Sequence, residues 1–517
     1  MRLTRQNGFC RGTASATLVF NAKTFGCRAP TARNLFLGTD ANSKIIQLLI
    51  SLRPLRLCGK KMQLKIARYF QFEANKTNFR TEVLAGVTTF MTMAYILAVN
   101  PLILSNAIFL QQPKDLFQEL VIATAISSAI ATVMMGLTAN YPFALAPGMG
   151  LNAFFAFSVV QGLGINWRVA LTAVLIEGII FIGLTLGNIR SLIVKTIPSS
   201  LKQATAAGIG LFIAYIGLSG DPATGGAGII VANPATKTAL SHFNQAQTLV
   251  AIAGILITAA FIARRIKGAL LWGILATALL GWILNIAPPP KAIIALPQWP
   301  VDLIGQAVIG LSQVGQTNFW DFLAVTFVFL FVDLFDTVGT LAGVGIQAGY
   351  INEEGELPNA NQALMADAVG TTVGAIMGTS TVTTYIESAA GVSEGGRTGF
   401  TSIIVAILFT ISIFFIPLLS AIPAFATAPA LIIVGVLMAG NVRTINWDDP
   451  AESIPSFLTI LIMPLSNSIA EGLAVGFITY PLIKTFQGKA HETTPALWIL
   501  AGVFVLRFVL AAVRPTG

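Results

Sequence analysis

The sequence predicts an all-α polytopic membrane protein of fourteen transmembrane spans, arranged as two inverted seven-span halves. Three observations predict it. Of the 517 residues, 55% are hydrophobic and only 10% charged, whereas soluble domains carry about 25% charged residues. So little polar surface cannot coat a water-soluble globule. Apolar stretches of roughly 20 residues, long enough to cross a bilayer as helices, recur through most of the chain. Two stretches that break the helical pattern lie seven spans apart; seven is odd, so the halves containing them run in opposite directions.

The N-terminal tail stands outside this pattern. Residues 1–61 hold 11 Lys/Arg and one acid, Asp40, a net of +10, so the chain's +9 leaves −1 for residues 62–517. The basic charge therefore belongs to the tail and predicts no nucleic-acid partner for the body, although a basic tail can touch anionic lipid. Its basic, Ser/Thr-containing, acid-poor composition is like that of an organellar transit segment. The plainer reading starts translation at Met62 and leaves 1–61 as an extension outside the fold, and an ordinary cytoplasmic tail is the third reading. The run Ile45 to Leu52 is too short to span. All three cysteines, Cys10, Cys27 and Cys58, lie in the tail, and the two histidines, His242 and His491, lie outside the strong apolar runs. The body is thus expected to contain no disulfide, metal site, cofactor or His-based catalytic triad, and the chain to be no enzyme.

Within the transport region, residues 62–486, candidate spans fall near 81–105, 119–139, 145–161, 168–188, 199–219, 246–264, 268–287, 319–345, 363–378, 380–395, 397–418, 425–441, 454–467 and 469–486. In the C-terminal segment 487–517, the apolar stretch 495–513 carries Arg507 and is followed by Arg514; it reads equally as a span or an interfacial helix. With the N-terminus inside, the inner loops hold Arg190, Lys195, Lys202, Arg264, Arg265, Lys267, Arg397, Arg443, Lys484 and Lys489, and the outer loops Lys114, Arg168, Lys237 and Lys291. Ten against four favours that orientation in a cell membrane. The acidic loop 352–356 would lie inside, which the rule tolerates.

The first break is Tyr141-Pro-Phe-Ala-Leu-Ala-Pro-Gly-Met-Gly-Leu-Asn152, whose prolines and glycines cannot continue a helix. The second is Gly378-Thr-Ser-Thr-Val-Thr-Thr-Tyr-Ile-Glu387, a β-branched, hydroxyl-rich run that reads as extended backbone before a helix. Unpaired backbone groups cost several kcal/mol each in hydrocarbon. Two such stretches survive at the membrane centre only by pairing as strands or lining a polar cavity. Paired interrupted segments mark the binding site of inverted-repeat transporters.

Carboxylates inside the spans sharpen this. Asp333 and Asp336, three apart in span eight, share a helix face, and Glu387 begins the half-helix of span ten. Each costs about 2.5–3.5 kcal/mol on insertion scales, so each is expected on a substrate or proton path. The bland alternative is structural: capping a half-helix or bonding to hydroxyls. Two carboxylates so close repel, which favours one of them holding a proton. Glu177 reads equally as structural or functional, whereas Asp367 and Glu394 read as solvated or helix-end residues. Asn152 closes the first break and either joins the site or ties down backbone. Phe154, Phe155 and Phe157 read as packing, and Gly339, Gly343 and Gly345 as sites of close helix contact.

Four ordered motifs carry a resemblance: Phe72-Glu-Ala-Asn-Lys-Thr-Asn-Phe-Arg-Thr-Glu82 leading to Gly86, Ala146-Pro-Gly-Met-Gly-Leu-Asn-Ala-Phe-Phe155, Asp333-Leu-Phe-Asp-Thr-Val-Gly-Thr340 and Thr379-Ser-Thr-Val-Thr-Thr-Tyr-Ile-Glu-Ser388. Over about residues 65–486 the chain resembles AzgA-like hypoxanthine/guanine permeases of the nucleobase–ascorbate transporter group. The resemblance implies a core domain of spans one to four and eight to eleven (about 81–188 and 319–418) and a gate domain of spans five to seven and twelve to fourteen (about 199–287 and 425–486). Short strands of spans three and ten would hold substrate between them. The family's span-eight acid-x-x-Gly falls on Asp336 and Gly339, and its span-ten position on Glu387. AzgA-like members add Gly150 and Asn152 of span three and the other span-eight acid, Asp333. Elevator motion and homodimers through the gate are also implied.

The expected function is import of guanine and hypoxanthine by proton symport. Glu387, Asp336, Asn152, Gly150 and Thr384 would hold the base, and Asp333 or Asp336 would couple the proton. Guanine offers an N1–H and an amine side by side and hypoxanthine keeps the N1–H, so a carboxylate accepts from them; adenine lacks that N1–H. A neutral base gains nothing from membrane potential, so accumulation needs a coupled ion. Same-fold permeases for adenine, xanthine or uracil remain the nearest rivals. Sulfate would favour cations over carboxylates at the site. An intramembrane aspartyl protease needs its aspartates on two facing helices, and an ion channel sits poorly with the buried acids.

Overall fold

The computed structural model describes residues 63–187, 197–220, 226–351 and 357–513. The tail 1–61, Met62, the inner-loop residues Arg190 and Lys195 and the acidic loop 352–356 lie outside the described residues. Nine helices among those described are long and apolar enough to cross a membrane.

The first half opens with α1 (Phe79–Met93), capped by the Asn78 side chain accepting from Thr81 N–H at 3.0 Å, and α2 (Ile96–Leu104), which continues the same span after a break at Ala94-Tyr95. Helix α3 (Phe117–Met134) widens into a π-helical turn and stops at Asn140, whose φ of 57° no helix continues. Strand β1 (Leu145–Pro147) then leads into the short α4 (Met149–Ala153), which widens into a π-helical stretch to Gly162. After α5 (Trp167–Leu186) come α6 (Ser199–Ser219), an antiparallel hairpin of β2 (Ile230–Asn233) and β3 (Lys237–Leu240), α7 (Ala246–Ala263), α8 (Ala269–Ile283) and the short α9 (Gln306–Gly310).

The second half repeats the plan. The 30-residue α10 (Phe319–Ala348) is capped by Asn318 and closed by Gly349 at φ 72°. Then come α11 (Ala360–Met377), β4 (Val382–Thr384), α12 (Ser388–Ser393), α13 (Gly399–Ser412) with α14 (Ile416–Ser420), α15 (Ala424–Ala439), α16 (Pro450–Ser466), α17 (Ile469–Phe486) and α18 (Pro495–Val513). The segment left open between span and interface is thus helical, and it packs on α17.

The two extended stretches pair with each other. Strands β1 and β4 are antiparallel, with Leu145 opposite Thr384, Ala146 opposite Thr383 and Pro147 opposite Val382. Each strand is anchored by the same device. The Thr132 hydroxyl of α3 accepts from Leu145 N–H at 3.0 Å and donates to its carbonyl at 3.1 Å. The Thr371 hydroxyl of α11 accepts from Val382 N–H at 3.2 Å and donates to its carbonyl at 3.0 Å. Both threonines serve the first residue of a strand from the helix just before it, one in each half, as an inverted repeat requires. Every backbone group so satisfied is one fewer left bare in a low-dielectric interior.

Helix packing separates into neighbourhoods. Helix α11 lies against α3 and α5, α13 against α1 and α3, and α10 against α5. Helix α6 lies against α15 and α16, and α7 against α8 and α15. Close approach rests on particular glycines. A Cβ on Gly399 would collide with the Gly136 carbonyl, and one on Gly435 with the Gly210 carbonyl. Gly399→Ala is therefore expected to cost about 1–3 kcal/mol by overpacking, read as a lower melting temperature of the purified protein. Gly343→Ala is the control. A Cβ there, as at Gly339, meets nothing within 4 Å, so it should be neutral or slightly stabilising. This corrects the sequence expectation that Gly339 and Gly343 allow close helix contact: both face open space, and only Gly345 of the three meets a neighbour, Leu357.

Candidate functional site

The hydroxyl run of the second break acquires its meaning in the fold. The Asn100 amide of α2 donates to Thr379 Oγ1 at 3.0 Å, and Ser380 donates to Asn152 Oδ1. Thr381 donates to Glu177 Oε2 of α5 at 2.8 Å, and Thr383 Oγ1 lies 2.9 Å from Thr337 Oγ1 of α10. Successive residues of the run are thus tied to different helices of both halves. The sequence could show that the stretch was extended and polar, but not that its hydroxyls act as tethers. Glu177 and Asn152 join the site as its supports. Asn152 is fully buried, and its Nδ2 has no hydrogen-bond partner among the described residues.

Beside the strand pair lies a cavity of about 460 Å3, lined by the β4 end, the middle of α10, the first turns of α6 and the end of α15. That volume lies in the range of about 300–1,000 Å3 usual for small-molecule sites. Of the residues singled out from sequence, Glu387, Asp336, Gly150 and Thr384 line it; Asn152 and Asp333 do not. Glu387 and Asp336 are each half-buried. Glycine lets the end of β1 approach β4: a Cβ on Gly148 would stand 2.8 Å from Thr383 Cγ2. On Gly150 it would run into Ile209 of α6. Glu387 precedes α12 without capping it through its side chain, so the capping alternative does not describe it.

Asp333 lies one turn back on α10, fully buried. Its Oδ1 is 3.2 Å from Thr337 Oγ1, which is also 2.8 Å from Asp367 Oδ1. Thr337 has one proton and so donates to one carboxylate at a time; Thr383 stands at its other side. Asp367, expected to be solvated, is instead fully buried in this cluster.

Sequence reasoning missed Tyr95. It sits at the break between α1 and α2, 1% exposed, and its hydroxyl donates to Glu387 Oε1 at 2.8 Å. In an apolar span a tyrosine reads as packing; the signal available was the break beside it. Tyr385 also lines the cavity, but its hydroxyl donates to the Pro147 carbonyl at 2.5 Å. Lys202, counted as a loop charge, belongs to the first turn of α6 and reaches the cavity, its Nζ 5.9 Å from the Phe335 ring. Among the described residues no group of three or more His, Cys, Asp and Glu could hold a metal ion.

A membrane-embedded cavity with two carboxylates beside paired broken spans suits a polar, hydrogen-bond-donating solute. A model of the permease family matches residues 80–475. The chain belongs to the xanthine/uracil permease family. This nucleobase–ascorbate transporter family is the one its motifs resemble. A putative permease of Methanocaldococcus jannaschii is 52% identical over 86% of this chain and 98% of its own length. The guanine/hypoxanthine permease PbuG of Bacillus subtilis is 44% identical over 85% of this chain and 99% of its own. The adenine permease AdeP of Escherichia coli is 41% identical over 86% and 96%. Among solved structures, the transmembrane domain of the cyanobacterial bicarbonate transporter BicA aligns with a TM-score of 0.55 at 16% identity, covering 76% of this chain and 96% of that one. At that identity it shows the fold alone. This xanthine/uracil permease family member is a multi-pass membrane protein whose named relatives are transporters rather than enzymes.

Proposed function

We propose that the chain imports purine nucleobases, guanine and hypoxanthine first, by proton symport across the cell membrane. The observation that carries this reading is the convergence of Asp336 on α10 and Glu387 before α12, from spans eight and ten, on one cavity beside β1 and β4. Glu387 accepts from the N1–H of a keto-purine, and from the exocyclic amine as well in guanine. Asp336 accepts from the imidazole side. Gly150 and Thr384 complete the wall, Asn152 holds it in place through Ser380, and Asp333 couples the proton.

The helix neighbourhoods support a core of α1–α5 and α10–α14 moving past a gate of α6–α8 and α15–α17 as an elevator, with the N-terminus cytoplasmic and the gate faces available for a homodimer. The cavity reaches Lys202 and Asn441 at the ends of α6 and α15 expected to be cytoplasmic. Beyond α4, at the opposite end, Ser158 donates to the Asn467 carbonyl before α17 at 2.8 Å, joining the proposed core to the proposed gate. An adenine reading is favoured by the relative AdeP.

The test is uptake of labelled hypoxanthine by purine-uptake-deficient cells expressing the chain, with and without a protonophore. Uptake that guanine competes, uracil does not, and the protonophore collapses is the expected result. Membrane-inserted protein that takes up adenine, xanthine or uracil but no hypoxanthine overturns the keto-purine assignment.

A further inference from the structure

We propose that the Tyr95 hydroxyl, by donating to Glu387, sets the preference of this site for keto-purines over adenine; the inference rests on the reading that Glu387 meets the N1 edge of the base. Tyr95 and Glu387 both line the cavity, and the tyrosine's single proton is committed to Oε1 at 2.8 Å. A donor fixed on one oxygen stabilises the group as a carboxylate, which accepts on both oxygens and donates from neither. It also restrains the rotation of the carboxyl, whose two oxygens keep further lone pairs for the base.

The edges of the bases then decide. Hypoxanthine presents N1–H and guanine presents N1–H beside an amine, all donors to a carboxylate. Adenine presents an amine beside a bare N1, so a carboxylate sets lone pair against lone pair there. Adenine pairs well only with the carboxylic acid, whose hydroxyl donates to N1 while its carbonyl accepts from the amine. Tyr95 opposes that form and that rotation. Tyr385, the other tyrosine on the cavity wall, cannot substitute, because its hydroxyl is engaged with Pro147. Asp336 on α10 and Lys202 on α6 also line the cavity. Tyr95 is therefore a positioning residue: it touches the carboxylate, and the carboxylate reads the base.

The experiment measures dissociation constants for hypoxanthine, guanine and adenine with the purified full chain, as wild type and as Tyr95→Phe. The adenine-to-hypoxanthine ratio is expected to fall about tenfold in Tyr95→Phe, the size of one hydrogen bond. Tyr141→Phe, at a buried tyrosine outside the cavity lining, should leave the ratio at its wild-type value. A purely structural role for Tyr95 weakens all three bases together; an unchanged ratio, with or without such weakening, overturns the inference. Should Tyr95→Phe fail to fold, 3-fluorotyrosine incorporated at position 95 keeps ring and donor. Its stronger donation should widen the ratio, and an unchanged ratio there overturns the inference equally. Wild-type protein that binds none of these bases instead overturns the purine reading itself.

Discussion

Glu387→Gln abolishes hypoxanthine uptake while leaving the protein in the membrane at its usual amount. The side chain keeps its volume, caps no helix, and lies half-buried on a cavity wall rather than in the packed interior, so folding should tolerate the change. What it loses is an acceptor. A hydrogen bond to a charged group contributes about 1.5–3 kcal/mol, and an amide turned toward N1–H adds donor against donor. At 1.4 kcal/mol per tenfold, uptake efficiency should fall roughly 100-fold or more. The measurement is initial uptake rate normalised to surface protein. Normal uptake by this variant would remove Glu387 from the site.

The second large effect is on accumulation rather than recognition. Asp333 does not line the cavity; it meets Thr337, which meets Asp367 and Thr383. Asp333→Asn preserves shape but cannot bind and release a proton at that oxygen. The expected result is hypoxanthine binding within about threefold of wild type, with loss of uphill transport. Labelled base equilibrates across the membrane and no longer responds to a protonophore. A variant that still concentrates hypoxanthine, and still collapses with the protonophore, would move the coupling proton to another group, with Asp336 and Asp367 the next to test.

The contrast between these two aspartates marks how far sequence could go. That both lie in an apolar span was plain, because acids are costly there. Three residues on a helix differ by about 60° in facing, and that angle alone puts Asp336 on the cavity and Asp333 in the wall. The two broken spans were legible from Pro142, Pro147, Gly148 and the Thr379–Thr384 run, since their chemistry forbids or disfavours helix. Their partners were not. Ser380 and Asn152 are 228 residues apart and Thr381 and Glu177 are 204 apart, and no local rule joins positions so distant. Tyr95 was hidden for a different reason: in a hydropathy pattern its ring counts as apolar and its hydroxyl counts for nothing. Gly339 shows the converse error. Small residues in a span suggest helix contact, yet here the missing side chain is room on a cavity wall.

The pairing of β1 with β4 also imposes an order on biogenesis. Pro147 and Tyr385, bonded in the finished protein, are 238 residues apart in the chain. At about 5–20 residues per second of synthesis, roughly 12–48 s separate their emergence from the ribosome. Throughout that interval the first half sits in or beside the bilayer with one edge of β1 bare. That edge must be shielded by water, by the insertion machinery or by transient contacts until its partner arrives. A chain truncated before residue 382 would thus present an unpaired strand at membrane depth, a feature by which cellular quality control could tell a half-made transporter from a finished one.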